Sequence, residues 1–111
     1  MTPLRITHGA TAAGPVLHVA GELDYAQAEA LRRQVEHLAL EPGQCLALEL
    51  SGLEFCDSTG ITALLAARQH AQAADADVVL AGVPPTLLRV LTMVGLDQVF
   101  TLRPGVRPPV A

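Results

Sequence analysis

Residues 45–61, CLALELSGLEFCDSTGI, decide the fold of this chain. Residues 45–50 place three leucines at alternate positions, which predicts a β-strand with one buried face. Residues 51–57 then read as a turn, and a helix begins near Ser58 with apolar residues at helical spacing. A strand that passes through a polar loop into a helix is the repeating unit of an α/β fold.

The chain upstream of this segment predicts a hairpin followed by a helix. Residues 4–8 alternate apolar and polar and read as an edge strand, residues 11–15 as a turn, and residues 16–20 as a second strand. Asp24 is a predicted helix N-cap, and Gln27 three residues later completes a capping box. The inward stripe predicted for this helix is Ala28, Leu31, Val35 and Leu38.

The chain downstream predicts one more strand–helix pair. Residues 78–81 are all apolar, as expected for a parallel strand covered on both faces. Residues 84–85 are both proline and open a third helix that Gly95 ends, and residues 99–102 form a possible last strand. The inward residues predicted for the third helix are Leu87, Leu88, Leu91 and Val94. The order β-β-α-β-α-β-α(-β) predicts an α/β domain with a mixed, mostly parallel sheet of four to five strands.

Length and composition predict a single domain with an aliphatic core. The chain has 111 residues, of which 50% are hydrophobic and 16% are charged. We expect the domain to span residues 1–102, and residues 103–111, with three prolines and one glycine, to form a loose tail.

Charge and residue types exclude several classes of function. The net charge is −4 and the aromatic fraction is 3%, which disfavours binding to a nucleic acid backbone or stacking on its bases. No apolar run reaches the roughly 18 residues of a membrane span, so we expect no membrane insertion. The start of the chain lacks a secretory signal, and its two cysteines are too few for a disulfide framework. These features predict a cytoplasmic, reduced protein.

Two polar strand-to-helix junctions are the candidate sites. Residues 21–24 and residues 56–60 follow strands that should be neighbours, so we expect the two loops to lie side by side. Either Ser58 or Asp57 could cap the helix that follows. The alternative role for Ser58 is a hydroxyl presented at the positive end of that helix, where a phosphate would be stabilised, and Gly60 would let another chain approach closely.

An enzyme is the less favoured interpretation. The four histidines, His8, His18, His37 and His70, fall outside both polar junctions, and Ser58 lacks a G-x-S-x-G motif. Cys45 and Cys56 show no metal-ligand spacing with them, and the chain has no glycine-rich phosphate loop. The sequence therefore predicts a binding protein with no cofactor and no metal, more plausibly the substrate of a kinase than a kinase.

Three separated motifs carry a family resemblance. Residues 48–53, 55–61 and 64–65, together with GELD at 21–24 and VGLD at 94–97, resemble the STAS domain of bacterial anti-sigma-factor antagonists. The resemblance runs from about residue 4 to residue 102 and implies the STAS fold. In many members an Asp stands in place of Glu49 and a bulkier apolar residue in place of Cys56, and Thr59 replaces a frequent second Ser.

The resemblance also implies a function. In this family the unphosphorylated antagonist binds an anti-sigma factor that is a GHKL-type serine kinase, and so frees its sigma factor. The kinase phosphorylates the motif serine, here Ser58, which reverses binding, and a PP2C-type phosphatase resets the protein. The partner-binding residues implied are Gly21, Glu22, Asp24, Asp57, Ser58, Thr59, Gly60 and Ile61. The alternative use of the same fold is an adaptor subunit of a lipid-transport ABC ATPase complex or a stress-signalling scaffold.

Overall fold

The first two strands form the hairpin that the sequence predicts, but both are longer than expected. The computed structural model describes residues 3–104, in which β1 (Arg5–Thr11) pairs antiparallel with β2 (Gly14–Leu23). The turn is only two residues long, because the Thr11 hydroxyl accepts a hydrogen bond from Ala13 N at 3.2 Å and donates to Gly14 O at 3.3 Å. The predicted turn at residues 11–15 is therefore corrected to residues 12–13.

The remaining elements alternate as expected, with one addition. They are α1 (Tyr25–Glu36), β3 (Cys45–Glu49), β4 (Leu53–Cys56), α2 (Ser58–Ala73), β5 (Asp77–Ala81), α3 (Pro85–Met93), a 3-10 turn (Leu96–Gln98) and β6 (Thr101–Arg103). The last strand lies two residues later than its predicted start, because Gly95 adopts a left-handed φ of 79° and leads into the 3-10 turn.

The α/β class and the mostly parallel sheet are confirmed, but the sheet has six strands within the described residues, not four to five. Its order is β1-β2-β3-β5-β6, with β4 paired to β2 outside this path. All pairings except the hairpin are parallel. The extra strand is β4, which falls in the segment predicted as a turn. It forms because β2 extends past β3: residues 16–18 pair with β3, and residues 21–23 pair with β4.

The core is aliphatic, as the composition predicts. Leu17, Leu48 and Leu80 lie in register across β2, β3 and β5 and are fully buried. The four apolar residues of β5 are all at most 6% exposed, which confirms the prediction of a strand covered on both faces. Alanines on the inner side of α2 let this helix pack closely against α1; the buried α2 residues are Gly60, Ala63, Leu64, Ala67 and Ala71.

The inward-facing residues predicted for α3 need two corrections. Leu88 and Val94, predicted to face inward on α3, are 39% and 61% exposed, while Leu87 and Leu91 are buried. The nine-residue helix buries only the stripe of Leu87 and Leu91, so its apolar surface is wider than the part that the fold covers. Leu38 packs against the core from beyond the end of α1.

The structure describes only residues 103 and 104 of the predicted C-terminal tail. Arg103, assigned above to the tail, belongs to β6, and its carbonyl oxygen accepts a hydrogen bond from Gly82 N at 3.0 Å. Residues 105–111 of the predicted loose tail lie outside the described residues. No helix within residues 3–104 has the length and apolar character needed to cross a membrane.

Candidate functional site

The ends of β2 and β4 bring the two polar junctions together, which confirms that they lie side by side. Leu23 at the end of β2 is in parallel register with Cys56 at the end of β4. The Asp57 backbone N–H then donates to the Leu23 carbonyl oxygen at 3.4 Å. Because α1 and α2 start immediately after these strands, their N-termini meet at the same edge of the sheet.

Asp57 caps α2, which resolves the alternative that the sequence left open. Its Oδ1 accepts a hydrogen bond from Gly60 N at 3.0 Å and from the Thr59 hydroxyl at 2.5 Å. The Thr59 hydroxyl and then the Gly60 backbone are the main causes that lower the pKa of Asp57, with smaller help from the backbone of Thr59 and Tyr25. Asp57 is therefore ionised at neutral pH and contacts the first turns of both helices.

Ser58 is the first helical residue of α2, not its cap. Its side chain is exposed, and within the described residues its hydroxyl makes no hydrogen bond. Its backbone carbonyl is occupied, since it accepts from the Thr62 hydroxyl at 3.0 Å. With capping assigned to Asp57, the Ser58 hydroxyl has no structural task in the folded chain and is accessible from solvent.

Asp24 starts α1 in the same manner. Its Oδ1 accepts a hydrogen bond from Gln27 N at 3.1 Å, which confirms the predicted cap. Gly21 and Glu22, grouped with Asp24 in the sequence, lie within β2: Gly21 is buried with a φ of 96°, and Glu22 is in register with Phe55 of β4. Of these three, Glu22 and Asp24 are half-buried and keep contact with solvent.

Gly60 is needed for packing inside the chain. It is buried, and a Cβ placed on it would lie 2.7 Å from both the Cys56 sulfur and the Leu23 carbonyl oxygen. The close approach that the sequence predicts at Gly60 is thus made by the chain's own β2 and β4. Ile61 is half-buried against the core. Gly60 and Ile61 therefore set the position of the α2 start, while the Ser58 side chain is exposed.

The two departures from the family pattern beneath the site are accommodated. Glu49 is 4% exposed and accepts hydrogen bonds from the Ser51 backbone N–H at 3.0 Å and from the Ser51 hydroxyl, so its longer side chain spans the turn that leads into β4. Burial, with a smaller effect of the Asp57 charge, raises the pKa of the Cys56 thiol to about 12. Cys56 is therefore a protonated packing residue.

Two grooves flank the start of α2. The α1–α2 groove, of about 530 Å³, is lined by Tyr25, Ala26, Ala28, Glu29, Arg32, Thr59, Thr62 and Ala63. The α3 groove, of about 250 Å³, is lined by Leu53, Glu54, Phe55, Cys56, Pro84, Thr86, Leu87 and Val90. Each contains an exposed aromatic side chain that the sequence analysis did not single out: Tyr25 is 81% and Phe55 50% exposed. The sequence does contain a signal for these two residues: the chain has only three aromatic residues, and two of them adjoin the polar junctions.

The histidines lie apart from these junctions, as expected. His8 on β1 bonds Gln34 at 2.7 Å, and His70 on α2 bonds the Leu38 carbonyl oxygen at 3.3 Å. Among residues 3–104, no three His, Cys, Asp or Glu side chains are grouped so that they could hold a metal ion.

Comparison with known proteins identifies the family. A family model described as "Mlab, STAS domain" matches residues 6–104, nearly the whole chain. The chain belongs to the STAS domain family. The STAS domain is also 25% identical over 87 residues to the anti-sigma-B factor antagonist of Listeria monocytogenes, with 78% of this chain and 76% of the relative covered.

Solved structures show the same fold. The STAS domain superposes on an anti-sigma factor antagonist from Mycobacterium paratuberculosis with a TM-score of 0.81 and 24% identity, covering 94% of this chain and 88% of that one. It superposes on the Bacillus cell fate determinant SpoIIAA in its phosphorylated form with a TM-score of 0.71 and 20% identity, covering 95% and 93%. These likenesses concern the arrangement of strands and helices around the site.

Proposed function

We propose that this protein is an anti-sigma-factor antagonist, a regulator without catalytic activity that acts in the cytoplasm. The unphosphorylated form binds an anti-sigma factor with GHKL-type serine kinase activity and thereby frees a sigma factor. Phosphorylation of Ser58 reverses this binding, and a PP2C-type phosphatase restores it. The named relative in Listeria and the family membership support the regulatory class.

One observation carries the proposal: the Ser58 hydroxyl is exposed and makes no hydrogen bond among the described residues. A serine at the start of an apolar helix usually has a capping role. Here Asp57 caps α2 and also accepts the Thr59 hydroxyl, so of the two hydroxyls at this helix start only that of Ser58 makes no hydrogen bond among the described residues. A kinase can reach that oxygen without unfolding the helix.

The transfer itself needs only an accessible hydroxyl. The Ser58 Oγ attacks the γ-phosphorus of ATP bound to the kinase, an O–P bond forms, and the bond from that phosphorus to the β–γ bridging oxygen breaks, so that ADP leaves. The hydroxyl proton passes to a base of the kinase. The product is phosphoserine at the first residue of α2.

The charge of that phosphate explains release without a change of fold. Phosphorylation adds about −1.5 to −2 charges at one point. That point adjoins the ionised Asp57, and Asp24 and Glu22 lie at the neighbouring junction. A partner surface packed against a small neutral hydroxyl then meets bulk, like-charge repulsion and desolvation. One unfavourable contact of about 3 kcal/mol weakens binding more than a hundredfold.

The test uses each purified GHKL-type anti-sigma factor encoded in the same genome. Wild type should bind the cognate one, incorporate phosphate on Ser58 when ATP is added, as located by mass spectrometry, and then dissociate. Ser58→Ala should bind and remain bound with ATP, because it lacks the acceptor oxygen. Ser58→Glu should bind about a hundredfold more weakly than wild type, because it carries a permanent charge.

Thr59→Val is the matched control, since it removes the neighbouring hydroxyl and leaves the Ser58 oxygen. It should still be phosphorylated and released. Equal affinity of wild type and Ser58→Glu would contradict the switch. Stable binding that ATP does not affect would indicate the adaptor or scaffold role that the resemblance also allows.

A further inference from the structure

We propose that the α3 groove is a second contact for the same anti-sigma factor, and that it receives an apolar side chain of the partner flanked by a lysine or arginine. This inference rests on the proposed function. Exposed apolar side chains continue the groove along α3. The resulting apolar surface comprises Phe55, Val90, Met93 and Val94.

A stable protein–protein interface covers more surface than the side chains of the Ser58 junction alone. A stable complex buries about 800 Å² on each partner, which is about an eighth of the 6592 Å² surface of this chain. Ser58 is a small side chain, and Glu22, Asp24 and Asp57 are each half-buried in the fold. A partner bound at Ser58 therefore needs further contact surface, and the two flanking grooves adjoin the junction.

The α3 groove is continuous with the junction. Phe55 and Cys56 line it, and they stand three and two residues ahead of Ser58 on β4. From there the exposed side chains of Val90 (40%), Met93 (78%) and Val94 (61%) continue the apolar surface along one side of α3. Interfaces are enriched in aromatic residues and methionine at their centre, and this surface contains both.

The other flank differs from the α3 groove in carrying charges of both signs. The α1–α2 groove contains Glu29 and Arg32 beside Tyr25. Glu29 also pairs with Arg33 at 3.6 Å, and both side chains are more than 60% exposed. Charged, solvent-screened groups such as these contribute little to affinity. The described residues that line the α3 groove include the acidic Glu54 and no basic residue, so a contact with an apolar side chain and a basic neighbour is assigned to the α3 side.

The lining of the α3 groove indicates what it binds. A volume of about 250 Å³ is below the ~300–1,000 Å³ usual for small-molecule pockets and suits an inserted side chain. Leu53, Leu87 and Val90 make its walls apolar, and Glu54 is an exposed carboxylate at its edge. Glu22, in register with Phe55, adds a second acidic group nearby. An apolar side chain with a basic neighbour complements both features.

The test compares two glutamate substitutions on the same helix. Val90 is 40% and Leu88 39% exposed, but only Val90 lines the groove, because two residues turn an α-helix by about 200°. Val90→Glu is expected to weaken the Kd for the cognate GHKL-type anti-sigma factor about tenfold or more, and Leu88→Glu to change it less than about twofold. In Ser58 phosphorylation assays, Val90→Glu should raise KM and leave kcat unchanged.

The outcomes separate this proposal from the one on which it rests. If wild type binds and is phosphorylated, but Val90→Glu and Leu88→Glu behave alike, the groove is not the contact and the Ser58 switch stands. If wild type neither binds nor is phosphorylated, both proposals fail. If sedimentation shows a wild-type dimer that Val90→Glu dissociates while kinase binding is kept, the groove binds a second copy of this chain and the proposal is overturned.

Discussion

The starts of α1 and α2 are built alike but differ in what they expose. Each follows a strand of the same parallel pair, and each is capped by an aspartate, Asp24 or Asp57. Asp24 accepts one backbone hydrogen bond, whereas Asp57 accepts one from the backbone and one from the Thr59 hydroxyl. The first helical residue after Asp24 is the 81% exposed Tyr25, and after Asp57 it is Ser58.

The same type of aspartate cap therefore precedes two different exposed side chains, an aromatic ring at α1 and a hydroxyl at α2. At α1 the cap holds a helix end and places an aromatic ring on the surface. At α2 the cap accepts one hydrogen bond more, and the residue that follows it is a small, exposed hydroxyl. The comparison predicts that the α2 start depends on tighter packing and stronger capping than the α1 start, while Ser58 itself contributes little to stability.

The largest expected effect is at Gly60, which lets α2 approach β2 and β4. Gly60→Ala should lower the free energy of unfolding by about 1–3 kcal/mol, as overpacking does, although alanine normally favours a helix over glycine. The cause is the new Cβ, which would lie 2.7 Å from the Leu23 carbonyl oxygen and the Cys56 sulfur. Urea unfolding monitored by circular dichroism measures the change.

Gly9→Ala is the matched control for this substitution. A Cβ at Gly9 would meet its nearest neighbour, the His18 Nε2, at 3.9 Å, which is an ordinary contact. Its unfolding free energy should stay at or above that of wild type. Equal stability of the Gly60→Ala and Gly9→Ala variants would show that the α2 start is not tightly packed.

The next effect separates the two caps. Asp24→Ala should cost about 0.5–2 kcal/mol of unfolding free energy, as a lost N-cap does. Asp57→Ala should cost more than Asp24→Ala, because it also leaves the Thr59 hydroxyl without its acceptor. Thermal unfolding at neutral pH ranks the two variants, and the reverse order would contradict the comparison.

The contribution of Asp57 to stability should also depend on pH. Hydrogen bonds from the Thr59 hydroxyl and the Gly60 backbone hold the pKa of Asp57 below its ordinary value of 3.8. A carboxyl group whose pKa is lower in the folded chain stabilises the fold fully above the unfolded pKa, and this stabilisation is lost as the pH falls through the folded pKa. The stability gap between wild type and Asp57→Ala should therefore be constant from neutral pH to about pH 5 and narrow below pH 4. A gap that persists unchanged at pH 2 would show that ionised Asp57 is not its source.

The smallest effect is expected at Ser58. Since its hydroxyl is exposed and makes no hydrogen bond within the described residues, Ser58→Ala should change the unfolding free energy by less than about 0.5 kcal/mol. Differential scanning calorimetry checks this. A large loss would mean that the hydroxyl has a structural role, and it would remove the basis on which Ser58 is distinguished from Asp24 and Asp57.

The elements that the sequence predicts well are those with strong periodicity and clear end signals. The three helices and the strand at residues 45–50 were placed within a few residues, because buried stripes such as Ala28, Leu31 and Val35 repeat at helical spacing. The sequence does not predict the strand β4, since four residues with two polar or aromatic members show no period of their own. Leu53–Cys56 becomes a strand only because the end of β2 supplies the partner.

The α/β order, the aliphatic core and the two polar junctions can be predicted from the sequence alone, because they depend on local periodicity and on the residues that begin and end helices. The choice between Asp57 and Ser58 as the cap of α2 depends on tertiary packing, since either side chain fits that local role and the position of Asp57 is set by how the end of β4 lies against Leu23. The exposure of Leu88 and Val94 was also a tertiary outcome. An apolar stripe indicates which residues can be buried, but burial also requires a neighbouring element that covers them.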